Sequence, residues 1–500
     1  MNTSALSNTD IGLSAQFHFW SPNMWSFVLI TTVLMVAMIV ANILRRKLTF
    51  IRKLMIPSSV LGGFLLLLTA YILKLITKSE TTFLTNYSAT LGALTYHGLG
   101  LGFVAMTLKK GKINKGHSRD SFNAGLTVVN TYLIQGFLGI GLAIVMYYIM
   151  TASGKELADS FCASGLLVCL GFGQGPGQAY NWGATYETEY GLANGTTLGL
   201  TYAAVGFIVA SIGGIIYLNV MRRKGRLKGC TDHNAVDDTR QDEFIGDNEI
   251  PQSESIDKLT IQIALAFIAY ILAYLFMKGI DLAIDAGFLG DPAEGFGAKT
   301  LRPLIWGFNF IFGMLGAVIV KTVMDMLHKK GWMKREYTND FLQSRVSGFL
   351  FDMMVVASIA AIDLDAFKYP EFIIPLIVIC VAAGVVTYLL NDYICKNLFQ
   401  DYRDEAFLSL YGMLTGTAST GIILLREGDQ NFETPAANNL VSLQPYAIAF
   451  GFPLLLLLGV APKSITNAFI TLGIVAVMFV LLMIVLFRSK LFGKKAKKNC

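Results

Sequence analysis

Two short stretches of this chain combine residues that free the backbone with side chains that can hold a small polar ligand. They are Gly171-Phe-Gly-Gln-Gly-Pro-Gly-Gln178 and Thr415-Gly-Thr-Ala-Ser-Thr-Gly421. Glycine and proline break the helical ladder, so each stretch leaves peptide groups without intrahelical partners. A half-helix starting after such a break offers N–H groups and a partial positive charge to an anionic ligand group. Unwound carbonyls and hydroxyls are the hard oxygens that a sodium ion takes. In the first stretch Gly173, Gly175 and Gly177 let a ligand approach the backbone, and Gln174 and Gln178 add amide donors and acceptors. In the second, Thr415, Thr417, Ser419 and Thr420 supply hydroxyls, the possible sodium ligands, on a backbone loosened by Gly416 and Gly421. Arg426 follows directly, with a planar fork suited to a carboxylate, although a plain positive-inside residue fits the same place. Small residues also serve close helix packing. What favours a site is that the two stretches occupy matching places in two halves of the chain.

Those stretches need elements to position them, and composition says which. Of 500 residues, 54% are hydrophobic and 15% charged, against about 25% charged in a soluble protein. The charges fall in short clusters between long apolar runs, which predicts an all-α polytopic membrane protein. The net charge of +6 sits in those clusters and gives no reason to expect nucleic acid as a partner. Cys162, Cys169, Cys230, Cys380, Cys395 and Cys500 form no paired motif, so neither a metal site nor disulfides are expected. The segment 1–20 has no basic start and no apolar core, and a cleavable signal peptide is not expected.

A membrane helix needs about 20 apolar residues. Met24–Leu44, Ser59–Thr77, Ser88–Leu108, Phe122–Met150 and Thr196–Met221 qualify, with basic clusters at Arg45–Lys47, Lys109–Lys112 and Arg222–Lys228. Putting those clusters in the cytoplasm places the N-terminus outside. The apolar segment Phe161–Trp182 then lies between two spans that already alternate, so it must enter and leave on the outer side as a re-entrant loop. In the second half Leu259–Ile280, Leu301–Leu327, Val346–Phe367, Phe372–Ile394 and Leu440–Val460 are spans, and Phe407–Leu425 is re-entrant from the cytoplasm. Each half thus has five transmembrane helices and a hairpin, and an odd span count inverts the second copy, as in secondary transporters. The expected organisation is an extracytoplasmic segment 1–23, a first repeat 24–221, a cytoplasmic linker 222–258, a second repeat 259–460, one extra transmembrane helix 464–487 and a basic cytoplasmic tail 488–500.

Other polar residues read more plainly. His97 is an intramembrane ionisable group, equally a hydrogen-bonded structural histidine. Asn130 and Gln135 are expected to bond neighbouring helices, and Asp352 to pair with Arg345. Glu187 and Glu189 are expected in a solvated outer loop.

Three stretches resemble the bacterial sodium/glutamate symporters. Ile56-Pro-Ser-Ser-Val-Leu-Gly-Gly63 is similar to that family's opening of the second span. Gly171–Tyr180 is similar to its first signature, Ser-Gly-Gly-His-Gly-Thr-Gly-Ala-Ala-Trp, with Phe172, Gln174 and Pro176 as departures. Tyr190-Gly-Leu-Ala-Asn-Gly-Thr-Thr197 aligns without a gap with Tyr-Gly-Phe-x-Asn-Ala-Thr-Glu, and brings Asn194 into the candidate site. The resemblance implies two domains with paired re-entrant loops, a homodimer in the bacterial cytoplasmic membrane, and uptake of glutamate coupled to Na+. It implies no cofactor beyond that coupling ion, and no enzymatic activity.

The expected function is sodium-coupled symport of glutamate or a related anionic amino acid or carboxylate. The alternatives are a proton-coupled symporter, with His97 as carrier, or an exchanger of another organic anion. A channel or an intramembrane enzyme is further off, and without a GxxxxGK[ST] stretch an ATP-driven pump is disfavoured.

Overall fold

The computed structural model describes residues 22–109, 118–226, 258–293, 295–332, 337–429 and 432–488. Residues 1–21, most of the expected linker (227–257) and the tail beyond Arg488 lie outside the described residues. Among the described residues there is no strand, and eleven helices are long and apolar enough to cross a membrane. Apolar runs of this length must close their own hydrogen bonds in lipid, and a helix does so within one segment.

The first half contains α1 (Pro22–Lys47), α2 (Ser58–Thr77), α3 (Ser88–Leu108) and α4 (Ser118–Ala152). A short pair follows, α5 (Leu167–Gly173) and α6 (Pro176–Tyr190), and then α7 (Gly195–Arg223). The second half contains α8 (Lys258–Asp285), α9 (Asn309–Lys329), α10 (Asp340–Ala360) and α11 (Pro370–Leu398). The short pair α12 (Arg403–Thr415) and α13 (Ala418–Arg426) precedes α14 (Gln444–Leu458), and α15 (Ile465–Leu486) ends the described chain.

Two expectations need correcting. The span expected over Leu301–Leu327 is broken: a short helix Arg302–Gly307 ends at Phe308 (φ −109°, ψ 36°), and α9 starts at Asn309. Neighbouring side chains take up carbonyls at that break, since the Tyr96 hydroxyl donates to the Trp306 carbonyl and the Asn181 amide to that of Gly307. Second, the helix after the first break continues past Trp182 to Tyr190, so Glu187 and Glu189 are helical rather than in a loop. Glu187 accepts from the Thr196 N–H at the start of α7 (2.9 Å).

Hydrogen bonds and ion pairs sort the helix ends into two groups. At one end the α4 residues Asp120 and Ser121 meet Tyr402 and Ser442, Arg226 beyond α7 meets Asp404 of α12, and Lys321 near the end of α9 donates to the Lys109 carbonyl beyond α3. At the other, Lys74 of α2 meets Asp365, Lys155 beyond α4 meets Glu371 of α11, and Tyr190 of α6 donates to the Gly459 carbonyl beyond α14. The first group is the basic end, with Arg45, Arg222 and Lys329 at helix termini.

Packing sorts the helices into three apolar clusters, the largest of which also takes in residues of α2, α3 and α10. Glycines let α2 and α3 approach α10, where a Cβ on Gly63 would meet Ile359 at 2.6 Å and one on Gly98 would meet Met354 at 3.1 Å. With α1, α8 and α9 they form two apolar clusters. The other helices pack around α4 and α7 in one larger cluster. A polar seam joins α4 to α11: Gln135 donates to Thr387 (2.8 Å) and Asn391 to Thr131 (3.4 Å). Asn130 bonds only within its own helix, to the Leu126 carbonyl.

Candidate functional site

The first break is narrower than the eight-residue stretch suggested. Helix α5 runs to Gly173, and α6 restarts at Pro176, whose fixed φ and missing N–H suit a first helical position. Between them Gly175 takes φ 88° and ψ −179°, a conformation essentially confined to glycine. The Tyr132 hydroxyl donates to the Gly173 carbonyl (2.9 Å), which satisfies one acceptor left over by the break. The second break falls at Gly416 and Thr417, between α12 and α13. The two tips meet: a Cβ on Gly175 would lie 3.2 Å from the Thr417 Cγ2 and 3.8 Å from the Gly416 carbonyl oxygen.

Beside that meeting point lies a cavity of about 180 Å3, lined by both tips and by α2, α3, α9, α10 and α14. Its walls are mainly apolar, including Leu99, Phe103, Phe207, Phe310, Phe351 and Leu455. The polar groups are Ser59, Gln174, Gln178, Asp352, Thr417, Ser419 and Gln444. Gln178 is 1% exposed, and neither its amide oxygen nor its nitrogen has a partner. A buried amide left open in this way costs on the order of 1–3 kcal/mol, which a bound ligand would recover. Three helix N-termini border the space, at Ser58, Pro176 and Ala418, and offer N–H groups to an anion, while the C-termini of α5 and α12 bring free carbonyls to the same breaks. Asp352 is the one carboxylate in the lining; its side chain is open to the cavity, with the Ser59 hydroxyl in hydrogen-bonding reach.

The structure brings together Gly173, Gln174, Gln178, Thr417 and Ser419 as cavity lining, with Gly175 and Gly416 at the contact of the tips. It holds the other candidates apart. Gly177 is a packing position, where a Cβ would meet the Met354 Sδ at 2.6 Å. Thr415 is buried and donates back to the Tyr411 carbonyl, and Thr420 is buried beside Thr417. Asn194 is a left-handed residue (φ 55°) at the start of α7, its carbonyl accepting from Leu198. Arg426 is exposed and lies over the Phe432 ring (5.5 Å), outside the cavity lining. His97 also lies outside it and bonds Tyr270 (2.9 Å).

Sequence reasoning missed Asp352, Ser59 and Tyr132. Arg345, the expected partner of Asp352, stacks on Phe341 instead (5.0 Å). A carboxylate twelve positions into an apolar helix was itself a usable signal, because an intramembrane charge is expensive unless it has a role. Ser59 lies within the family-like stretch Ile56–Gly63 but carried no role there, and nothing in the local sequence marks Tyr132.

The cavity, its two broken helices and the eleven apolar helices suit a transporter rather than an enzyme. Compared with known proteins, the chain matches the sodium/glutamate symporter family over residues 25–410, which takes in the first break and stops short of the second. No curated protein matches the chain. With more than half of its length covered, the chain belongs to the sodium/glutamate symporter family.

Proposed function

We propose that this chain moves glutamate or a related anionic amino acid across the bacterial cytoplasmic membrane, driven by Na+ that enters with it. The observation that carries the reading is the meeting of two broken helices at a largely apolar cavity, with an unsatisfied glutamine and three helix N-termini facing in. The substrate carboxylates would take the N–H groups that begin α6 and α13, and the Gln178 amide. The cation would take hard oxygens: the Asp352 carboxylate and the Ser59, Thr417 and Ser419 hydroxyls. Coupling follows because the ion and the substrate both draw on the second tip.

The same reading organises the chain as two inverted repeats, 24–221 and 259–460, with the short pairs as hairpins dipping from opposite ends. In its favour, the pair α5/α6 begins beyond Lys155 and ends at Tyr190, both at the end opposite the basic one, whereas α12 begins at Arg403 and Asp404 at the basic end. The basic end would face the cytoplasm. A homodimer and the extra helix α15 complete the proposed assembly.

Uptake into proteoliposomes tests the function. Glutamate accumulation should follow an imposed inward sodium gradient, and accumulation indifferent to that gradient would sink the reading. Asp352 favours a second reading, a proton symporter in which this carboxylate, not His97, carries the proton. Accumulation driven by a pH gradient without sodium, and lost in Asp352→Asn, would favour it.

A further inference from the structure

A separate cavity of about 190 Å3 lies at the basic end, between the last turns of α7 and α11 and the first residue of α12. Its lining combines three cations, Lys224, Arg226 and Arg403, with one carboxylate, Asp392, against the rings of Tyr217 and Tyr388. We propose that this pocket holds the phosphate headgroup of an anionic phospholipid whose acyl chains lie along the groove between α7 and α11. Arg403 begins α12, so a headgroup bound there ties α7 and α11 to the arm that leads to the second break.

The ion pairs at the pocket leave donors over. Arg403 donates from Nη2 to Asp392 (2.6 Å), and Arg226 donates from Nη1 to Asp404 (3.3 Å). Asp404 lies just outside the lining and also takes the Tyr217 hydroxyl (2.8 Å), while Asp401 and Glu405 beside Arg403 are not part of the lining. A guanidinium carries more N–H donors than one such contact uses. The Arg403 Nε is buried and has no hydrogen-bond partner. Lys224 is exposed and forms no ion pair among the described residues. Three cations against Asp392 and Asp404 leave one positive charge in excess, and Arg222 and Arg223 in the last turn of α7 strengthen the same field.

The surface leading to the pocket makes the ligand a lipid. Helices α7 and α11 touch where a Cβ on Gly384 would meet the Val209 side chain at 3.1 Å, and again at Tyr217 and Tyr388, whose rings lie 6.2 Å apart. Beside that seam Ile212, Ile216 and Val220 of α7 and Val385, Leu389 and Tyr393 of α11 are exposed, each set at a spacing of four that keeps to one helix face. Both helices run towards the basic end, and the two stripes are offset from the seam in opposite senses, which puts them on the same side of it. The α7 stripe ends at Val220, itself part of the pocket lining. A soluble anion has no use for such an apolar approach, whereas a basic pocket between membrane helices is the setting in which an anionic headgroup binds.

Native mass spectrometry of the purified protein in a neutral detergent, titrated with phosphatidylglycerol or with phosphatidylcholine, tests the site. The anionic lipid should bind the more tightly. Lys224→Gln should weaken its binding about fivefold, the contribution of one basic residue at an anionic membrane surface. Arg223→Gln removes the same charge on the same turn but outside the lining, and should weaken binding by less than about twofold. Both residues are exposed, so without lipid the two variants should melt with the wild type. Equal losses in the two variants, or no preference for the anionic lipid, would overturn the proposal. Glycerol 3-phosphate at the same concentration should fail to displace phosphatidylglycerol; displacement would give the pocket to a soluble phosphate and overturn the lipid. The readout is binding, so it stands whether or not glutamate uptake follows sodium.

Discussion

The two broken helices differ less in how they break than in how they are held. After the first break, α6 has fifteen residues and is tied along its length: Asn181 to the Gly307 carbonyl, Tyr186 to that of Leu458 and Tyr190 to that of Gly459. Ahead of the break, Tyr132 holds the Gly173 carbonyl. After the second break, α13 has nine residues, and among the described residues no hydrogen bond ties it to another span. Its first residues, Ala418 and Ser419, are exposed, whereas Pro176 and Gly177 at the start of α6 are buried. A segment with few cross-links opens at low free-energy cost, and a heavily tied one does not. Under the proposed function, the first tip would present fixed dipoles to the ligand and the second, less tied by hydrogen bonds, would be the one to shift.

The sharpest way to break that contrast is at the glycines. Gly175 holds a conformation that costs a side-chain-bearing residue about 1–3 kcal/mol, in a helix that cannot shift to relieve it. Gly175→Leu should abolish sodium-driven glutamate uptake while the protein still reaches the membrane, as judged by immunoblot of the membrane fraction. Gly416 keeps φ at −146°, and an added Cβ would meet the Thr420 hydroxyl at 2.9 Å, a group that can rotate. It would also meet the Phe207 ring at 3.1 Å and the Gly412 carbonyl at 3.2 Å, which must give by a few tenths of an ångström. Gly416→Ala should reduce uptake only about tenfold, equivalent to roughly 1.4 kcal/mol. Equal losses would mean that the two tips are equally rigid.

A smaller effect separates the cavity-facing side chains. Gln178 is buried and pre-placed, so Gln178→Leu should lower kcat/KM for glutamate by about 10- to 100-fold, from a lost buried polar contact of about 1–3 kcal/mol. Ser419 is exposed on the looser tip, and Ser419→Ala should cost about 2- to 10-fold, from a net hydrogen bond of about 0.5–1.5 kcal/mol. Initial rates across a range of glutamate concentrations decide it. A larger loss at Ser419 would assign recognition to the second tip.

Much of this contrast was open to reading from the chain. Apolar run length and basic clusters carry the signal for a spanning helix, so the spans and the places of both breaks were legible. Gly175 and Gly416 stood out because a backbone break needs residues of their kind. Which side chains face the cavity was not legible, because facing depends on how helices distant in sequence pack. Asp352 and Ser59 are 293 positions apart in the chain, yet share one wall. Thr415 illustrates the reverse failure: a hydroxyl beside a break can spend its hydrogen bond on its own helix. The break at Phe308 was hidden because residues 304–320 are apolar apart from Asn309, and its loose carbonyls are met by Tyr96 and Asn181 from elsewhere.

The smallest expected effect lies far from both tips, and it tests whether their difference is local. Lys74 at the end of α2 and Lys368 both bond Asp365 at the mouth of α10, at 2.9 and 2.7 Å. Hydrogen bonds from Lys368 and Lys74 hold the Asp365 carboxyl below its ordinary value. A depressed carboxylate pKa stabilises the fold above the unfolded value, near 3.9 in a free aspartate, and that contribution disappears as pH falls through the folded value. The Asp365 carboxylate is about one-third exposed, so solvent screening limits the pairs to roughly 0.5–1 kcal/mol. Asp365→Asn should therefore melt slightly below wild type at pH 7 in detergent, and the two curves should converge as pH falls below the free-aspartate value and through the lower folded one. Uptake at pH 7, and the ratio between the Gln178→Leu and Ser419→Ala losses, should not change in the Asp365→Asn background. A changed ratio would mean that the stiffness of the first tip is set through α2 and α10, and not by the bonds of α6 to its immediate neighbours.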